Sequence, residues 1–358
     1  MGNRFLAGVL PLLTGLLLAG IAAGQRERIG HCNLFPVPSN GKFGYMDGSG
    51  RLVIRPQYDE AGCFRDGRAR TVLNGRVGYI DLNGRAIGWL PQIEDSWLFV
   101  DGLSPFRETL RIGGESRNAI GYKDRTGKIV IPAQYASGKR FSEGVAAVKT
   151  NRGEEWSRDW GYVDATGRLV IPFQFPAARS FHEGLAAVTV REKGVHGLFK
   201  QGVIDRSGRM VIAPQAWFIE GDFSEGLVAV EAAEDWPRHT RFGYVDRTGK
   251  WVIPPRFAGA AGFSEGLAAV DFDPPPSGAA SGPLGYIGKL GQTLIPPAFT
   301  SACPFQNGLA MVQIGRKVGF INRQGKFVWG PKEEPVYREG PEGDVSWPCP
   351  GEAYLPEP

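Results

Sequence analysis

Carboxylates recur at one fixed position along this sequence and are the first residues that could do chemistry. Each precedes a glycine and a strand of small residues, and the set comprises Glu143, Glu183, Glu225 and Glu265, with Asp66 and Asp101 in degenerate copies. A circle of such carboxylates could bind a cation. The favoured interpretation is hydrogen bonding to the backbone of the adjacent turn. For the separate Asp-x-x-Gly turn aspartates, the lack of any Asp-x-Asp-x-Asp-Gly loop argues against calcium binding.

No known catalytic motif appears: the sequence lacks Gly-x-Ser-x-Gly, His-Glu-x-x-His and P-loop strings. Glu154, Glu155 and Asp159 could supply the two carboxylates of a glycosidase. A solvated loop explains the same residues better. We therefore predict a protein that is not an enzyme and needs no cofactor or metal, with an envelope hydrolase using a cryptic carboxylate site as the alternative.

Four cysteines, an even number, suggest disulfides in an exported chain. They are Cys32, Cys63, Cys303 and Cys349, which allow three connectivities. We favour Cys32–Cys63 with Cys303–Cys349, because the first pair opens neighbouring repeats and the second lies around the last one. No two cysteines have the close spacing of zinc ligands.

The two ends of the chain differ from its body. Residues 1–24 carry Arg4, an apolar stretch and small residues before Gln25, the pattern of a secretory signal peptide, with a retained membrane anchor as the alternative. Residues 331–358 are rich in proline and acidic side chains and are predicted to be extended or disordered. Residues 25–330 then form a single exported domain, periplasmic or extracellular.

The body contains one unit repeated eight times. Its anchor, Gly-aromatic-aliphatic-Asp-x-x-Gly, begins at Gly44, Gly78, Gly121, Gly161, Gly202, Gly243, Gly285 and Gly319, with variants in some copies. A Val-Ile-Pro triplet follows most anchors, and Phe-Ser-Glu-Gly-Leu-Ala-Ala-Val precedes most of them. Asp-x-x-Gly is typical of the turn of a β-hairpin. Each unit is therefore predicted to have three strands, here called the small-residue strand (Leu-Ala-Ala-Val), the Gly-Tyr strand and the Val-Ile-Pro strand.

These motifs resemble the bacterial WG-repeat family across roughly residues 31–330. Trp160-Gly161, Tyr-Val-Asp-x-x-Gly, Val-Ile-Pro and Phe-Ser-Glu-Gly-Leu-Ala carry the resemblance. Departures are Gln201 before Gly202, Gly288 in place of the turn aspartate, and Ala86-Ile87-Gly88 in place of a triplet. The resemblance implies a β-rich interaction module and transfers no catalytic residue.

The expected fold is all-β, with eight three-stranded repeats in a closed propeller-like ring. The consecutive apolar residues of the Val-Ile-Pro strand predict that both its faces are covered. The alanines of the small-residue strand suit crowding near a common axis. An open β-solenoid or superhelical array is the alternative, since hairpin repeats can also stack linearly.

Long connections join the small-residue strand to the Gly-Tyr strand in units three to seven, with 13 to 15 residues against 7 elsewhere. Their aromatic and arginine residues are typical interface anchors. The candidate binding residues are Trp156, Arg158, Trp160, Trp236 and Arg238. We predict that a protein, peptide or glycan binds there, with packing on neighbouring units as the alternative role of the tryptophans. A net charge of +4 without a dense basic run argues against nucleic acid, and after signal cleavage we expect a monomer without membrane contact.

Overall fold

The computed structural model describes residues 33–64, 67–89, 99–112, 115–151, 159–191, 199–215, 217–235, 239–272 and 283–333. These ranges form thirty strands arranged in eight antiparallel sheets, each built from consecutive strands. Within them the chain forms no helix, and so none that could cross a membrane. The prediction of an all-β repeat protein is confirmed.

The strands of the first four sheets are β1 (Phe35–Ser39), β2 (Lys42–Met46) and β3 (Leu52–Tyr58) in sheet 1; β4 (Glu60–Ala61), β5 (Arg68–Leu73), β6 (Arg76–Asp81) and β7 (Ala86–Trp89) in sheet 2; β8 (Leu103–Ile112), β9 (Glu115–Asp124) and β10 (Ile129–Tyr135) in sheet 3; and β11 (Ser137–Gly138), β12 (Val145–Lys149), β13 (Trp160–Asp164) and β14 (Leu169–Phe175) in sheet 4.

The strands of the last four sheets are β15 (Ala177–Ala178), β16 (Leu185–Arg191), β17 (Phe199–Asp205) and β18 (Met210–Gln215) in sheet 5; β19 (Phe218–Ser224), β20 (Leu227–Asp235), β21 (His239–Asp246) and β22 (Trp251–Phe257) in sheet 6; β23 (Gly259–Ala260), β24 (Leu267–Asp271), β25 (Leu284–Gly288) and β26 (Thr293–Phe299) in sheet 7; and β27 (Ser301–Ala302), β28 (Leu309–Ile314), β29 (Lys317–Asn322) and β30 (Phe327–Glu333) in sheet 8.

The predicted three strands per unit are too few for most sheets. Within the described residues, sheets 1 and 3 have three strands and the other six have four. The extra strand is usually two residues long: in sheet 4, Ser137 pairs with Lys149 and Gly138 with Val148. It arises because the chain passes the end of the small-residue strand on its way to the next tight turn, and it lacks any alternating pattern that would reveal it in the sequence.

The Asp-x-x-Gly hairpins form as predicted. In sheet 4, Oδ1 of Asp164 accepts hydrogen bonds from the backbone N–H groups of Thr166 and Arg168 at 3.0 and 3.1 Å. Gly167 adopts φ +85°, a left-handed conformation that glycine reaches without steric cost. The aspartate thus satisfies the turn backbone.

The anchor glycine has a separate structural role. A Cβ atom on Gly161 would lie 2.6 Å from the carbonyl oxygen of Ile171, on the paired Val-Ile-Pro strand. The register between these strands shifts next to Gly161, because the Val-Ile-Pro strand bulges there. A side chain at this position would therefore separate the two strands.

Burial is the reverse of what the apolar triplet predicts. Leu169 is exposed, Val170 is half-buried and only Ile171 is buried, whereas Leu185 to Val188 of the small-residue strand are all buried. The expectation that both faces of the Val-Ile-Pro strand are covered is wrong. This strand is the last in its sheet and lies at the edge, while the small-residue strand lies inside the sheet with a neighbouring sheet on each face.

Neighbouring sheets pack through a repeated aromatic contact. The ring of Tyr162 in sheet 4 lies 4.8 Å from that of Phe181, which precedes sheet 5's small-residue strand, and its hydroxyl donates to the carbonyl of Arg179 at 2.7 Å. The same pair of contacts recurs for Tyr45, Tyr122, Tyr244 and Tyr286. Burial raises the pKa of these phenols well above its usual range, so they remain neutral donors.

Sheets 5 and 8 lack this tyrosine, with Val203 and Phe320 in its place, and sheet 5 uses a substitute. Val203 occupies the position in sheet 5, and Oε1 of Gln201 accepts a hydrogen bond from the backbone N–H of Ile219 in sheet 6 at 2.6 Å. Gln201 was one of the departures from the sequence motif. Its side chain restores the link that the missing phenol would make.

The first and last sheets contact each other in the same way as consecutive sheets. The rings of Phe35 and Phe320 lie 5.8 Å apart in one apolar cluster. A Cβ on the turn glycine Gly50 would lie 2.9 Å from Cγ1 of Val328 in sheet 8. The equivalent glycine of sheet 5, Gly208, faces an isoleucine of sheet 4 at a similar distance.

Two of the four cysteines lie in the described part of the chain. Cys63 and Cys303 are buried in the apolar cluster shared by sheets 1 and 8, and neither is a free thiol. Cys32 and Cys349 lie outside the described residues. The pairing Cys32–Cys63 with Cys303–Cys349 stays a prediction.

Candidate functional site

The strand register divides each sheet into two ends. In sheet 4, Val145 pairs with Asp164 beside the tight turns, and Lys149 pairs with Trp160 where the long connection begins. The same arrangement holds in sheets 3, 5, 6 and 7. We call the end with the tight turns the tight-turn face and the opposite end the long-loop face. Each of the five long connections leaves its sheet at the long-loop face.

Part of the long-loop face is a projecting β-ribbon. In sheet 3 the strands β8 and β9 are paired over ten residues, from Leu103↔Asp124 to Ile112↔Glu115, against five pairs between β12 and β13. Five further pairs extend the hairpin by roughly 16 Å at the usual rise per residue. Sheet 6 has a similar extension up to the pair Asp235↔His239. The sequence indicated loops here, and the regular pairing was not predicted.

Two exposed aromatic side chains lie on the long-loop face. Phe199 begins β17 and is 52% exposed, and Phe218 begins β19 and is 47% exposed. They flank the hydrogen bond between Gln201 and Ile219 that joins sheets 5 and 6. Neither residue was predicted from the sequence as part of a site. The sequence feature that could have identified them is an aromatic residue at the long-loop end of a strand, where the repeat has no core position.

The predicted binding residues are only partly within the described chain. Trp160 begins β13, is half-buried against the apolar cluster of sheets 4 and 5, and has Nζ of Lys139 at 6.0 Å from its ring centroid. Trp156, Arg158, Trp236 and Arg238 lie outside the described residues, as do Glu154 and Glu155. For Trp160, packing between sheets is the observed environment, and its role in binding stays a prediction.

The third candidate carboxylate, Asp159, is already paired. Its Oδ1 lies 2.7 Å from Nη2 of Arg191, which connects the end of sheet 4's long connection to sheet 5. The hydrogen bond that Arg191 donates to Asp159 raises the pKa of Arg191 above its usual value. His182 has a similar partner, with Nε2 at 3.2 Å from Oδ2 of Asp222. Both pairs connect neighbouring sheets.

On the tight-turn face, the recurrent carboxylates form a belt from sheet to sheet. Each carboxylate accepts a hydrogen bond from the backbone of the next sheet's turn: Glu183 accepts from the N–H groups of Glu225 and Gly226 at 2.6 and 2.8 Å. The carboxylate belt comprises Asp101, Glu143, Glu183, Glu225 and Glu265. The predicted bonding to backbone N–H groups is confirmed, but the donors belong to the next sheet's turn and not to the adjacent turn.

A cation from the next sheet approaches most members of the carboxylate belt. Nη2 of Arg247 donates to the carbonyl of Glu183 at 2.5 Å, and Nζ of Lys289 lies 2.9 Å from Oε2 of Glu225. Arg206 and Arg323 make the equivalent contacts to Glu143 and Glu265. The belt's charge is therefore largely compensated within the protein. The carboxylate belt therefore links neighbouring sheets by hydrogen bonds and ion pairs. It leaves no open cation site at these four positions.

Asp101 is the exception in the belt. It accepts from the N–H of Gly144 at 2.7 Å, but the cation position of sheet 4 is occupied by Ala165. Where the belt residue is neutral, the cation position of the next sheet is uncharged as well: Asn307 holds the belt position of sheet 8, and Gly48 holds the cation position of sheet 1. Charge at one sheet is thus followed by opposite charge at the next, except at Asp101.

A cleft of about 560 Å³ lies between the edges of sheets 6 and 7. It is lined by Arg256, Phe257, Phe272, Gly291, Gln292 and Thr293. The Arg256 guanidinium lies over the Phe257 ring at 4.9 Å and donates to the carbonyl of Gly291 in the neighbouring sheet. Its charge and its hydrogen bonding therefore serve the contact between sheets as well as the cleft.

Six segments of the chain match the family model described as WG containing repeat: residues 43–76, 120–152, 160–193, 202–232, 242–273 and 285–317. The chain belongs to the WG-repeat family. Each matched segment begins on the Gly-Tyr strand of one sheet and ends at or just beyond the small-residue strand of the next. A WG repeat therefore spans two sheets, and the contacts described above between tyrosine and the following phenylalanine lie within a single repeat.

The fold is also similar to several solved structures at low identity. A eukaryotic initiation factor shares 10% identity over 83% of each chain, with a TM-score of 0.48. An acylaminoacyl peptidase from Pyrococcus horikoshii shares 9% over 85% of this chain and 53% of its own (TM-score 0.42), and an uncharacterised protein from Listeria monocytogenes shares 11% over 86% and 97% (TM-score 0.40). No curated protein matches the sequence.

Proposed function

We propose that this WG-repeat protein is exported, closes its eight sheets into a ring, and acts without catalysis by binding a protein, peptide or glycan on the long-loop face. The observation that carries the proposal is the common exit of the long connections from sheets 3 to 7 at one face. Five variable segments presented together on repeated sheets resemble the way other scaffolds present binding loops.

Contacts between the first and last sheets support closure. Phe35 packs on Phe320, and Gly50 lies against Val328 in the position that an isoleucine occupies between consecutive sheets. Closure places the short connections of sheets 8, 1 and 2 side by side. The long connections of the other five sheets then surround one open sector, which would admit an extended partner.

The cysteines support the exported location. Cys63 and Cys303 are buried and are not free thiols, as expected for a chain that folds in an oxidising compartment. Mass mapping of the exported protein without reduction should find no alkylatable thiol. Recovery of four free cysteines would contradict both the disulfides and the proposed location.

The binding proposal is tested by probing the mature protein on a glycan array and a peptide array. Phe199→Ala and Phe218→Ala remove exposed aromatic side chains from the long-loop face and should weaken any specific binding at least tenfold, with little change in melting temperature. Arg209→Ala, on an exposed tight turn, is the matched control and should leave binding unchanged. Equal effects of all three variants would contradict the assignment of the face.

The same arrays separate binding from hydrolysis. Turnover of an arrayed glycan that is lost in Glu155→Gln would overturn the non-catalytic proposal in favour of a carboxylate hydrolase. Binding without turnover supports the proposal as stated.

A further inference from the structure

The interface between sheets 2 and 3 differs from all the others. Seven apolar clusters join neighbouring sheets, and they cover the contacts 1–2, 3–4, 4–5, 5–6, 6–7, 7–8 and 8–1. In the part of the chain that the structure describes, no apolar cluster joins sheets 2 and 3. Repeat proteins place function where one unit departs from the common pattern, because the pattern itself maintains the fold.

The face of sheet 2 that points away from sheet 1, toward the next sheet in the chain, is basic. Arg68 and Arg70 on β5 and Tyr79, paired with Arg70 on β6, share this face because residues two apart on a strand point the same way. The same positions in sheet 4 are filled by Val145, Ala147 and Tyr162, which pack in the apolar cluster facing sheet 5. Two arginines therefore replace two apolar residues of the common interface.

The opposing face of sheet 3 is polar as well. Ser104 and Lys123 are paired across β8 and β9 and correspond to Ala186 and Ile204 of sheet 5, which are both buried in an apolar cluster. Ser104 is itself buried, at 3% exposure. Cationic side chains thus lie on the two faces that sheets 2 and 3 leave uncovered by the apolar clusters.

Space is also left at this interface. The buried isoleucine that faces the following sheet is Ile171 in sheet 4, paired with Tyr162, whereas Tyr79 of sheet 2 is paired with Gly88. Within the described ranges, a Cβ atom on Gly88 would have no neighbour within 4 Å, and neither would one on the turn glycine of sheet 3, Gly127. The equivalent turn glycines of other sheets lie against an isoleucine or valine.

The positive charge is only partly compensated. Nη1 of Arg70 donates to Oε2 of Glu60 at 3.2 Å, but its Nε is buried and has no hydrogen-bond partner among the described residues. Arg68 forms no ion pair with any described residue. Tyr79 and Lys123 make interactions of their own, so the available donors are those of the two arginines. A buried N–H without an acceptor is costly, and a bound anion would remove that cost.

We propose that this notch, formed by Arg68, Arg70, Gly88 and Gly127, binds an oxyanion: the carboxylate, phosphate or sulfate group of a ligand. Arginine matches the planar geometry of such groups and binds them through paired N–H donors. The room left by the absent isoleucine accommodates the atoms that carry the anion. Ile87, 57% exposed on β7, supplies an apolar surface beside it.

Calorimetric titration of the full mature protein with inorganic phosphate and with a sulfated oligosaccharide tests the proposal. Both probes should bind saturably. Arg70→Met, which keeps the side chain's length and removes its donors, should weaken binding at least tenfold, while the exposed control Arg209→Met should bind like the wild type. Tighter binding of the oligosaccharide than of phosphate assigns the anion to a glycan, and the reverse order assigns it to a small ligand.

A second variant keeps the test independent of folding defects. Gly88→Ile restores the residue of the common interface, and should raise the melting temperature while reducing phosphate binding at least tenfold. Unchanged phosphate binding in Gly88→Ile, or absence of saturable binding to the wild type, would overturn the proposal.

The chain's own acids are the competing occupant. Glu94 and Asp95 belong to the connection between β7 and β8, at residues 90–98, which lies outside the described residues. If these acids already satisfied the arginines, phosphate would bind only to the Glu94→Gln, Asp95→Asn double variant. That outcome also overturns the proposal, and wild-type binding that the double variant leaves within twofold supports it.

Discussion

Four glutamates of the carboxylate belt adopt a left-handed backbone conformation, with φ between 53° and 54°. Asparagine or glycine is the usual choice in such two-residue hairpins, and a residue with a Cβ loses about 1 kcal/mol there. Glutamate occupies the position because its longer side chain reaches the N–H groups of the next sheet's turn. Local backbone preference is outweighed by a hydrogen bond to a residue some forty positions away, as for Glu143 and Gly184.

Replacing one belt glutamate should reveal this balance. Glu183→Asn favours the left-handed conformation but cannot reach Gly226, so the free energy of unfolding should fall by about 1 kcal/mol, the usual net value for a hydrogen bond to a charged group less the backbone gain. Urea denaturation measures the change. Glu231→Asn, on strand β20 and outside the carboxylate belt, is the control. A stability gain for Glu183→Asn would show that the belt does not stabilise the protein.

The turn aspartates predict how stability depends on pH. The hydroxyl of Thr166 and the backbone N–H groups of the turn lower the pKa of Asp164 to about 2, and the hydroxyl of Ser49 does the same for Asp47. A folded-state pKa below the unfolded value stabilises the protein above about pH 4, and this contribution is lost as the pH falls toward 2. Asp164→Asn, which reproduces the turn residue Asn322 of sheet 8, should make the melting temperature less dependent on pH between 4 and 2. A measured pKa near 4 for Asp164 by NMR would contradict the explanation.

At the scale of the element, the unpaired position in the carboxylate belt can be completed. Ala165→Arg would place a cation beside Asp101, as Arg206 does for Glu143, and should raise the free energy of unfolding by about 0.5 kcal/mol, a typical value for an exposed ion pair. The gain should disappear in about 1 M salt. Leu82→Arg introduces a cation at the same position of sheet 2, where the corresponding residue of sheet 1 is uncharged Cys32, and should give no such gain. Equal gains in both variants would indicate a non-specific charge effect.

The sequence predicted those elements whose causes are local. Asp-x-x-Gly turns, the three principal strands and the eight repeats follow from residues within a few positions of one another, such as Asp164 and Gly167. The short strand at Ser137–Gly138, the edge position of Leu169 and the long ribbon of sheet 3 depend on pairing with distant segments. Gly88 was visible as part of a departure from the repeat, but only the strand register shows that it takes the position of the buried isoleucine.

At the scale of the whole molecule, closure makes a prediction about distance. Spin labels at Ser49→Cys in sheet 1 and Gln324→Cys in sheet 8 occupy equivalent exposed turns. In a ring their separation should equal that of the matched pair Thr166→Cys and Ser207→Cys on consecutive sheets 4 and 5. In an open stack of eight sheets spaced about 10 Å apart, the first pair would be about 70 Å apart. Pulsed electron paramagnetic resonance distinguishes the two values, and a long distance would refute the ring.

Each WG repeat contributes half of one sheet and half of the next, which constrains how such a gene can lengthen. A duplicated repeat, 160–193 for example, begins in one sheet and ends in the next. Each of its two half-sheets is therefore completed by the half-sheet of the adjoining repeat. The chain therefore grows or shrinks by whole sheets wherever the recombination point falls within the repeat. Only the outermost halves lack a neighbour in sequence, and the packing of Phe35 on Phe320 brings the terminal sheets together. A protein built in this way can vary its number of sheets while every internal hairpin remains unchanged.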